Sequence, residues 1–309
     1  MNIKVRRYVS SILILFLAIC SIFILKNKTV NAQDKYVNLV LDSLRYDELP
    51  DNFRSSSNLT NIKGNKSLNI NGLESLNISG SEQFSKYNLS IIKKNINTSL
   101  PITVIDLRQE SHGFINGFPV SWQNKKNNAN MGLTKEQVLL DEANKLNNIR
   151  LNTPFTFYNC PDKTIIPKEV QNEEKLVKSN SLSYVRIPVT DGKIPTDDMV
   201  DYFVNLINNQ SEKQWLHFHC KRGIGRTSTF MIMYDMMKNY NKATADEIIK
   251  RQLALSNLKE DDIKSFYRSK KRMTFLQQFY IYCKESGNNF NIKWSEWKKT
   301  HSNVSFYLN

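Results

Sequence analysis

Trp215-Leu216-His217-Phe218-His219-Cys220-Lys221-Arg222-Gly223-Ile224-Gly225-Arg226-Thr227 reads as a strand, a short glycine-containing loop and the opening of a helix. The apolar and aromatic run 215–219 suits a buried strand, and the apolar helix that follows is expected over about 227–240. A strand-to-helix loop turns successive backbone N–H groups inward, and the positive end of the helix dipole adds to them. Such a nest fits a tetrahedral phosphate. The same field stabilises a thiolate, the attacking form of cysteine, at Cys220. Gly223 and Gly225, flanking Ile224, let the backbone close round the anion without side-chain collision. Arg226 carries a planar fork that grips two phosphate oxygens, which a lysine cannot do equally well. The Thr227 hydroxyl is placed to donate towards the sulfur, and His219 to order the loop by hydrogen bonding. A cysteine and an arginine separated by five residues occur often by chance in a basic chain. With the preceding His, the two glycines and the following Thr, between a strand and a helix, they point to phosphoryl transfer through Cys220.

That chemistry also needs a group to protonate the leaving oxygen and later to deprotonate water. It is expected on a loop after a second strand of the same sheet. Asp191 meets the requirement: it follows the strand 184–189 and precedes the helix opened by Pro195 and Thr196. Asp197 and Asp198 compete, but a place in the first helical turn already explains them through the helix dipole. The β-branched run 102–107 gives another strand. Thr134 and Gln137 form a capping box for a helix of about 16 residues, Thr244 and Glu247 cap another, and a long last helix is expected over about 262–285. In the helix after Thr196, Val200, Phe203, Val204 and Ile207 repeat at helical spacing. Strands alternating with helices predict an α/β fold with a mostly parallel central sheet covered on both faces. Residues 34–97 are polar and rich in Asn and Ser. The tetrapeptide Ser-Leu-Asn-Ile at 67–70 and 75–78 is too short and too rare to be a structural repeat.

The chain has 309 residues, enough to bury a sizeable core, with 40% hydrophobic and 23% charged residues, the balance of an ordinary globular protein. Its formal charge is +14, of which Lys4, Arg6, Arg7, Lys26 and Lys28 carry five, leaving about +9 on the body. A basic body favours anionic partners; nucleic acid rests on charge alone, with no recognition signature, and is not expected. The N-terminus has a positive start, a charge-free apolar run over 8–25, and Val30-Asn31-Ala32 as a cleavage site before Gln33. Residues 1–32 are therefore expected to direct export, as a cleaved signal or as an uncleaved anchor, the one contact with a membrane that the sequence suggests. One catalytic domain over 33–309 follows. The sparse cysteines make neither a disulfide framework nor a metal site. Cys160 and Cys283 read as small buried hydrophobes, and no metal or other cofactor is expected.

The loop 219–227 resembles the signature of the protein-tyrosine-phosphatase superfamily. Longer stretches are similar to the bacterial protein-tyrosine-phosphatase-like phytases: Asp51-Asn52-Phe53-Arg54, residues 72–85, Asp106-Leu107-Arg108-Gln109-Glu110-Ser111-His112-Gly113, Val120-Ser121-Trp122, Asn127-Asn128-Ala129-Asn130 and Thr190-Asp191. The resemblance spans nearly everything after residue 32. It implies a bacterial enzyme with a phosphatase core and a small additional β-barrel-like domain; the N-terminal segment makes it an exported one, secreted or held at the cell surface. It implies stepwise removal of phosphates from inositol hexakisphosphate without a metal. Arg54 and Asp106 would border the pocket, Arg54 meeting non-reacting phosphates. His112 reads as a turn histidine. Lys264, Lys270, Lys271 and Arg272 form either a second anion-binding rim or a solvated face. Lys221 and Arg222 depart from the acidic and small residues usual after the nucleophile, and Gly192 stands where a His usually follows the acid. Both departures open the alternatives of a phosphotyrosine or phosphoinositide substrate. A non-catalytic phosphate receptor using the same loop is the rival from another class.

Overall fold

The structure is a computed structural model that describes residues 37–301 apart from 61, 63 and 257. The expected export segment 1–32 lies outside the described residues. Strand β1 (Asn38–Leu41) and the two-residue β2 (Arg54–Ser55) are followed by β3 (Ile78–Ser81), helix α1 (Lys86–Ile96) and β4 (Ile102–Arg108). Next come β5 (His112–Ile115), β6 (Phe118–Gln123), α2 (Lys135–Asn147), β7 (Phe155–Phe157), β8 (Cys160–Ile165), β9 (Val170–Gln171) and α3 (Glu173–Ser179). The sequence continues with β10 (Ser183–Val189), α4 (Asp197–Asn208), β11 (Trp215–His219), α5 (Gly225–Asn239), α6 (Ala245–Leu255), α7 (Glu260–Arg268), α8 (Lys270–Ser286) and α9 (Trp294–Thr300).

The central sheet has the order β10-β4-β11-β3-β2, parallel throughout except for the edge strand β2. Alternation along its strands sorts side chains between two layers. Ile105, Leu107, Leu216 and Phe218 pack with Phe203 of α4, Phe230 and Met233 of α5, and Phe279 of α8. On the opposite face Val104 and Trp215 pack with Leu89 and Ile92 of α1 and Leu176 of α3. Towards the C-terminal ends of the strands this second face becomes polar. Register places Arg186, Asp106, His219 and Ser81 side by side across β10, β4, β11 and β3. That row lies under the loop 219–227.

A second sheet, antiparallel, has the order β1-β6-β5-β9, and β7 and β8 form a separate hairpin. Leu41, Ile115, Val120 and Phe157 make its own small core. Among the described residues β1 and β9 remain the edges of this sheet, and β9 has only two residues with which to pair. The capping boxes at Thr134 and Thr244 form as expected, and a third, Ser85 with Asn88, opens α1. The long last helix is interrupted: Ser269 takes φ −76 and ψ 85 between α7 and α8. Residues 34–97 contribute two strands to the central sheet, which their polar composition concealed. Cys283 is buried as expected, whereas Cys160 is half-buried on an exposed hairpin. No helix among the described residues is long and apolar enough to cross a membrane.

Candidate active site

The site is built where three parallel strands end. β11 delivers Cys220, β4 runs on to Glu110, and β10 runs on to Asp191. Cys220 is 3% exposed, at the floor of the turn that opens α5. Gly223 takes φ +68, and a Cβ there would stand 2.4 Å from the backbone of Ser81 and Glu82. Glycine is therefore demanded twice, by conformation and by space. The loop is tied down from outside: Gln83 N–H donates to Lys221 O at 3.3 Å and Asn52 Nδ2 to Arg222 O at 2.8 Å.

Arg226 is almost fully buried. Its Nη1 donates to Glu110 Oε2 at 2.6 Å and to Val189 O at 3.0 Å, and its Nη2 donates to Glu110 Oε1 at 3.0 Å. Nη2 also lies 3.2 Å from Asp191 Oδ1. Its Nε is buried and has no hydrogen-bond partner among the described residues. Burial alone would weaken the guanidinium's hold on its proton, but Glu110, then Cys220 and Asp191, raise it well above the usual arginine range. Glu110 is in turn held by Arg108 Nε at 2.9 Å, and Arg108 reaches Asp42 at 2.8 Å. Burial would raise the Glu110 pKa; Arg226 and Arg108 outweigh it and keep this carboxyl well below the usual range. An unbroken chain of alternating charges, Asp42, Arg108, Glu110 and Arg226, thus aims one guanidinium at the loop.

Asp191, on a loop after β10, keeps about 38% of its side chain exposed. Its competitor Asp197 is committed elsewhere, accepting from Trp294 Nε1 and Lys298 Nζ at 2.8 Å each. Thr227 Oγ1 is buried without a partner among the described residues, as a hydroxyl kept for the sulfur would be. His219 is fully buried, its Nε2 2.6 Å from Glu173 Oε1. Among the described residues neither ring nitrogen of His219 has an aligned hydrogen-bond partner, so this contact is a close polar approach.

The two residues tied to the pocket by resemblance are both buried. Arg54 is only 4% exposed, and its guanidinium donates to Asn52 O, Gly223 O and Ser228 Oγ, bracing the loop from beneath. Burial lowers its pKa to about 10, opposed by the charge at Cys220. Asp106 lies beneath the loop. It is fully buried, 2.8 Å from Arg186 Nη1 and 3.2 Å from His112 Nε2, and accepts from Tyr184 OH at 2.6 Å. Burial would raise its pKa, but Arg186 and His112 hold it well below the usual range. His112, expected in a turn, lies on β5 inside this cluster. Burial and Arg186 oppose a charge on its ring, yet Asp106 and Glu142 raise its pKa to about 9. Asp106, Glu173 and His219 bring ligand-type atoms within 4.8 Å of one another, but Arg186 and His112 already supply positive charge there.

Glu110, Asn127 and Glu173 were not singled out by the sequence, because their partners lie far away along it. Of the basic cluster on the last helices, Arg272 comes to the site. It is 8% exposed, packs over Phe266, and its Nη2 stands 3.4 Å from where a Cβ on Gly225 would lie. Its Nε is buried without a partner among the described residues. Lys264 instead pairs with Glu260 at 2.6 Å. Lys221 is half-buried, 3.5 Å from Asp42, and Arg222 is 71% exposed at the mouth, 3.7 Å from Asp262. Ile224 packs partly buried against the larger core.

Comparison with known proteins bears on the family and the fold. The sequence model of the PTP-like phytase family, described by inositol hexakisphosphate, matches residues 105–238. The PTP-like myo-inositol phosphatase of Mitsuokella multacida, solved with myo-inositol-(1,3,4,5)-tetrakisphosphate, superposes with a TM-score of 0.77 at 28% identity, over 88% of this chain and 49% of that one. The PTP-like phytase of Bdellovibrio bacteriovorus is 33% identical over 85% of this chain and 95% of its own, with a TM-score of 0.69. The effector protein hopD2 of Pseudomonas syringae pv. tomato is 28% identical over 225 residues, 66% of this chain and 48% of that protein. The chain thus spans about half the length of the effector and of the Mitsuokella enzyme. By its likeness to the Bdellovibrio protein across nearly all of that protein's length, and by the match over the loop and its flanking strands, the chain belongs to the protein-tyrosine-phosphatase-like phytases, a family of cysteine-dependent phosphatases.

Proposed function

We propose that the protein hydrolyses phosphate monoesters through a cysteinyl-phosphate intermediate. The carrying observation is that Arg226, in the first turn of α5, pairs with Asp191 after β10 and is within charge range of Cys220 after β11, while its Nε–H is buried with no partner among the described residues. The phosphate sits in the loop and is held by its amides and by Arg226. The Cys220 sulfur attacks phosphorus, the P–S bond forms and the P–O bond to the leaving group breaks. Asp191 gives its proton to the departing alkoxide. Water then attacks the phosphocysteine and passes a proton to Asp191, the P–S bond breaks, and inorganic phosphate and the thiolate remain. Thr227 donates to the sulfur as it leaves. No step asks for a metal, because Arg226 and the loop amides meet the charge of the phosphoryl oxygens.

The substrate class is a soluble inositol polyphosphate, dephosphorylated stepwise. The family description and the Mitsuokella complex support this, as does the cationic surround of Lys221, Arg222 and Arg272. Arg222 at the mouth and the small Gly192 beside Asp191 keep a second reading in play, a phosphotyrosine or phosphoinositide substrate. Residues 33–309 form the catalytic domain, and residues 1–32 direct it out of a bacterial cell, which the effector relative supports. The test is phosphate release from inositol hexakisphosphate, a phosphotyrosine peptide and a phosphoinositide, with product analysis. Release from the first, abolished by Cys220→Ser, is the expected result. Activity confined to the others retires the phytase reading, and wild type that binds phosphate without turnover makes the chain a receptor.

A further inference from the structure

Asp191 is gripped at both oxygens. Oδ1 faces Arg226 Nη2 at 3.2 Å, and Oδ2 accepts from Asn127 Nδ2 at 2.8 Å. These two grips differ in what substrate does to them. Both Nη groups of Arg226 are engaged with Glu110, Val189 or Asp191, while its Nε–H is spare. A phosphate taken side-on by Arg226 uses Nε and the Nη2 donor that now faces Asp191. Asp191 Oδ1 therefore stands where a phosphate oxygen will be received, and binding releases it. Asn127 is untouched by that exchange.

The segment carrying Asn127 is built to hold it still. Asn124 Oδ1 accepts from the backbone N–H of Lys126 and Asn128, and its Nδ2 donates to Asn128 Oδ1 at 2.9 Å. Asn130 Nδ2 anchors the far end to Ser111 Oγ and Asp141 Oδ2, both at 3.0 Å. Asn127 itself takes φ +52, a left-handed conformation that asparagine tolerates better than most residues. The acid loop by contrast turns on Gly192, which has open space around it, and is otherwise fastened by Thr190 Oγ1 to Gln109 at 2.6 Å.

We propose that Asn127 is a positioning residue that keeps the acid in place after Arg226 lets go, and that it selects Oδ1 as the oxygen carrying the transferable proton. An amide N–H donates to a carboxylate oxygen, and in a neutral carboxyl it favours the carbonyl oxygen, the stronger acceptor, over the hydroxyl oxygen. With Oδ2 engaged in this way, the proton resides on Oδ1, which faces the bound ester. The same bond persists in the second half of the reaction, when Oδ1 accepts a proton from water. This inference rests on the reading of Asp191 as general acid.

Two substitutions separate positioning from mere support of the loop. Asn127→Gly keeps the left-handed backbone and removes the donor; Asn127→Asp keeps shape and conformation and replaces the donor with an acceptor. Each is assayed on an alkyl phosphate, such as an inositol phosphate, and on 4-nitrophenyl phosphate, whose leaving group scarcely needs a proton. The expected result is a loss of kcat/KM on the alkyl ester at least about tenfold greater than on the aryl ester. In an Asp191→Asn background the Asn127 substitutions should have little further effect. Equal losses on both esters overturn the inference and reduce Asn127 to loop support. If Asp191→Asn itself shows no leaving-group discrimination, the acid assignment falls first, and the two failures are distinguished.

Discussion

Replacing Glu110 by glutamine removes one negative charge and leaves the shape nearly intact. In the native site that carboxylate receives two N–H groups from Arg226, at 2.6 and 3.0 Å, and one from Arg108 at 2.9 Å, while almost wholly buried. Arg108 keeps Asp42 and Gln83 as partners, and Arg226 keeps Val189 O and the pairing with Asp191. The variant thus strands roughly one buried positive charge. Breaking a buried pair from one side costs about 3–5 kcal/mol, more than the ~0–1 kcal/mol of an exposed pair. Arg226 should also lean further onto Asp191, so kcat/KM should fall about tenfold or more, each factor of ten being about 1.4 kcal/mol. Urea unfolding with linear extrapolation gives the first quantity and phosphate release the second. Glu110→Asp, which keeps the charge at the wrong reach, should lose less stability. Because the Glu110 carboxyl is held low in the fold, its contribution is complete above about pH 4.5 and is lost as pH falls through its depressed folded value. A Glu110→Gln protein within about 1 kcal/mol of wild type and within threefold in kcat/KM would refute the account of the charge chain.

Gly223→Ala should either fail to fold or lose most activity, since its Cβ must displace backbone at 2.4 Å and adopt φ +68, a strain of about 1–3 kcal/mol before the collision is counted; circular dichroism and phosphate release report it, and a normal variant refutes it. Arg272→Ala should raise KM for a polyphosphorylated inositol by about tenfold while changing KM for 4-nitrophenyl phosphate far less, a charge of this kind being worth about 1–3 kcal/mol in a contact to phosphate; steady-state kinetics on both substrates decide it. The imidazolium of His112, with its pKa raised to about 9, contributes stability that is complete below about pH 6.5 and is lost as pH rises through 9, a change of about 3 kcal/mol. Urea midpoints between pH 6 and 10 should fall accordingly, and a ring proton resonance titrating near 6.5 removes the basis for it.

The elements that carry the reacting atoms were legible because their signals are local. The strand-loop-helix around Cys220, the apolar period from Val200 to Ile207 and the boxes at Thr134 and Thr244 each lie within a dozen or so residues. Asp191 was legible by its place after a strand. What escaped were pairings made by the sheet: Glu110 with Arg226 across 116 residues and Asn127 with Asp191 across 64. Arg54 and Asp106 were tied to the pocket by resemblance, but resemblance conveys neither burial nor partners, and both turned out to be internal. The break at Ser269 was hidden because apolar residues continue on either side of it. The strand Ile78–Ser81 carries one apolar residue, so periodicity had little to act on.

The polar row beneath the loop has a consequence for inheritance. Arg186, Asp106, His112, Glu142, Glu173 and His219 lie within polar contact of one another in a region closed to bulk solvent. A change at one member strands another, so single replacements are penalised where paired ones are tolerated. Among descendants of a common ancestor these six positions should drift together or stand still, while the exposed hairpin Phe155–Ile165 varies freely. The floor of the pocket is then the slowest part of the molecule to be rewritten, and its rim, where Arg222 faces solvent, the quickest to acquire a new taste in esters.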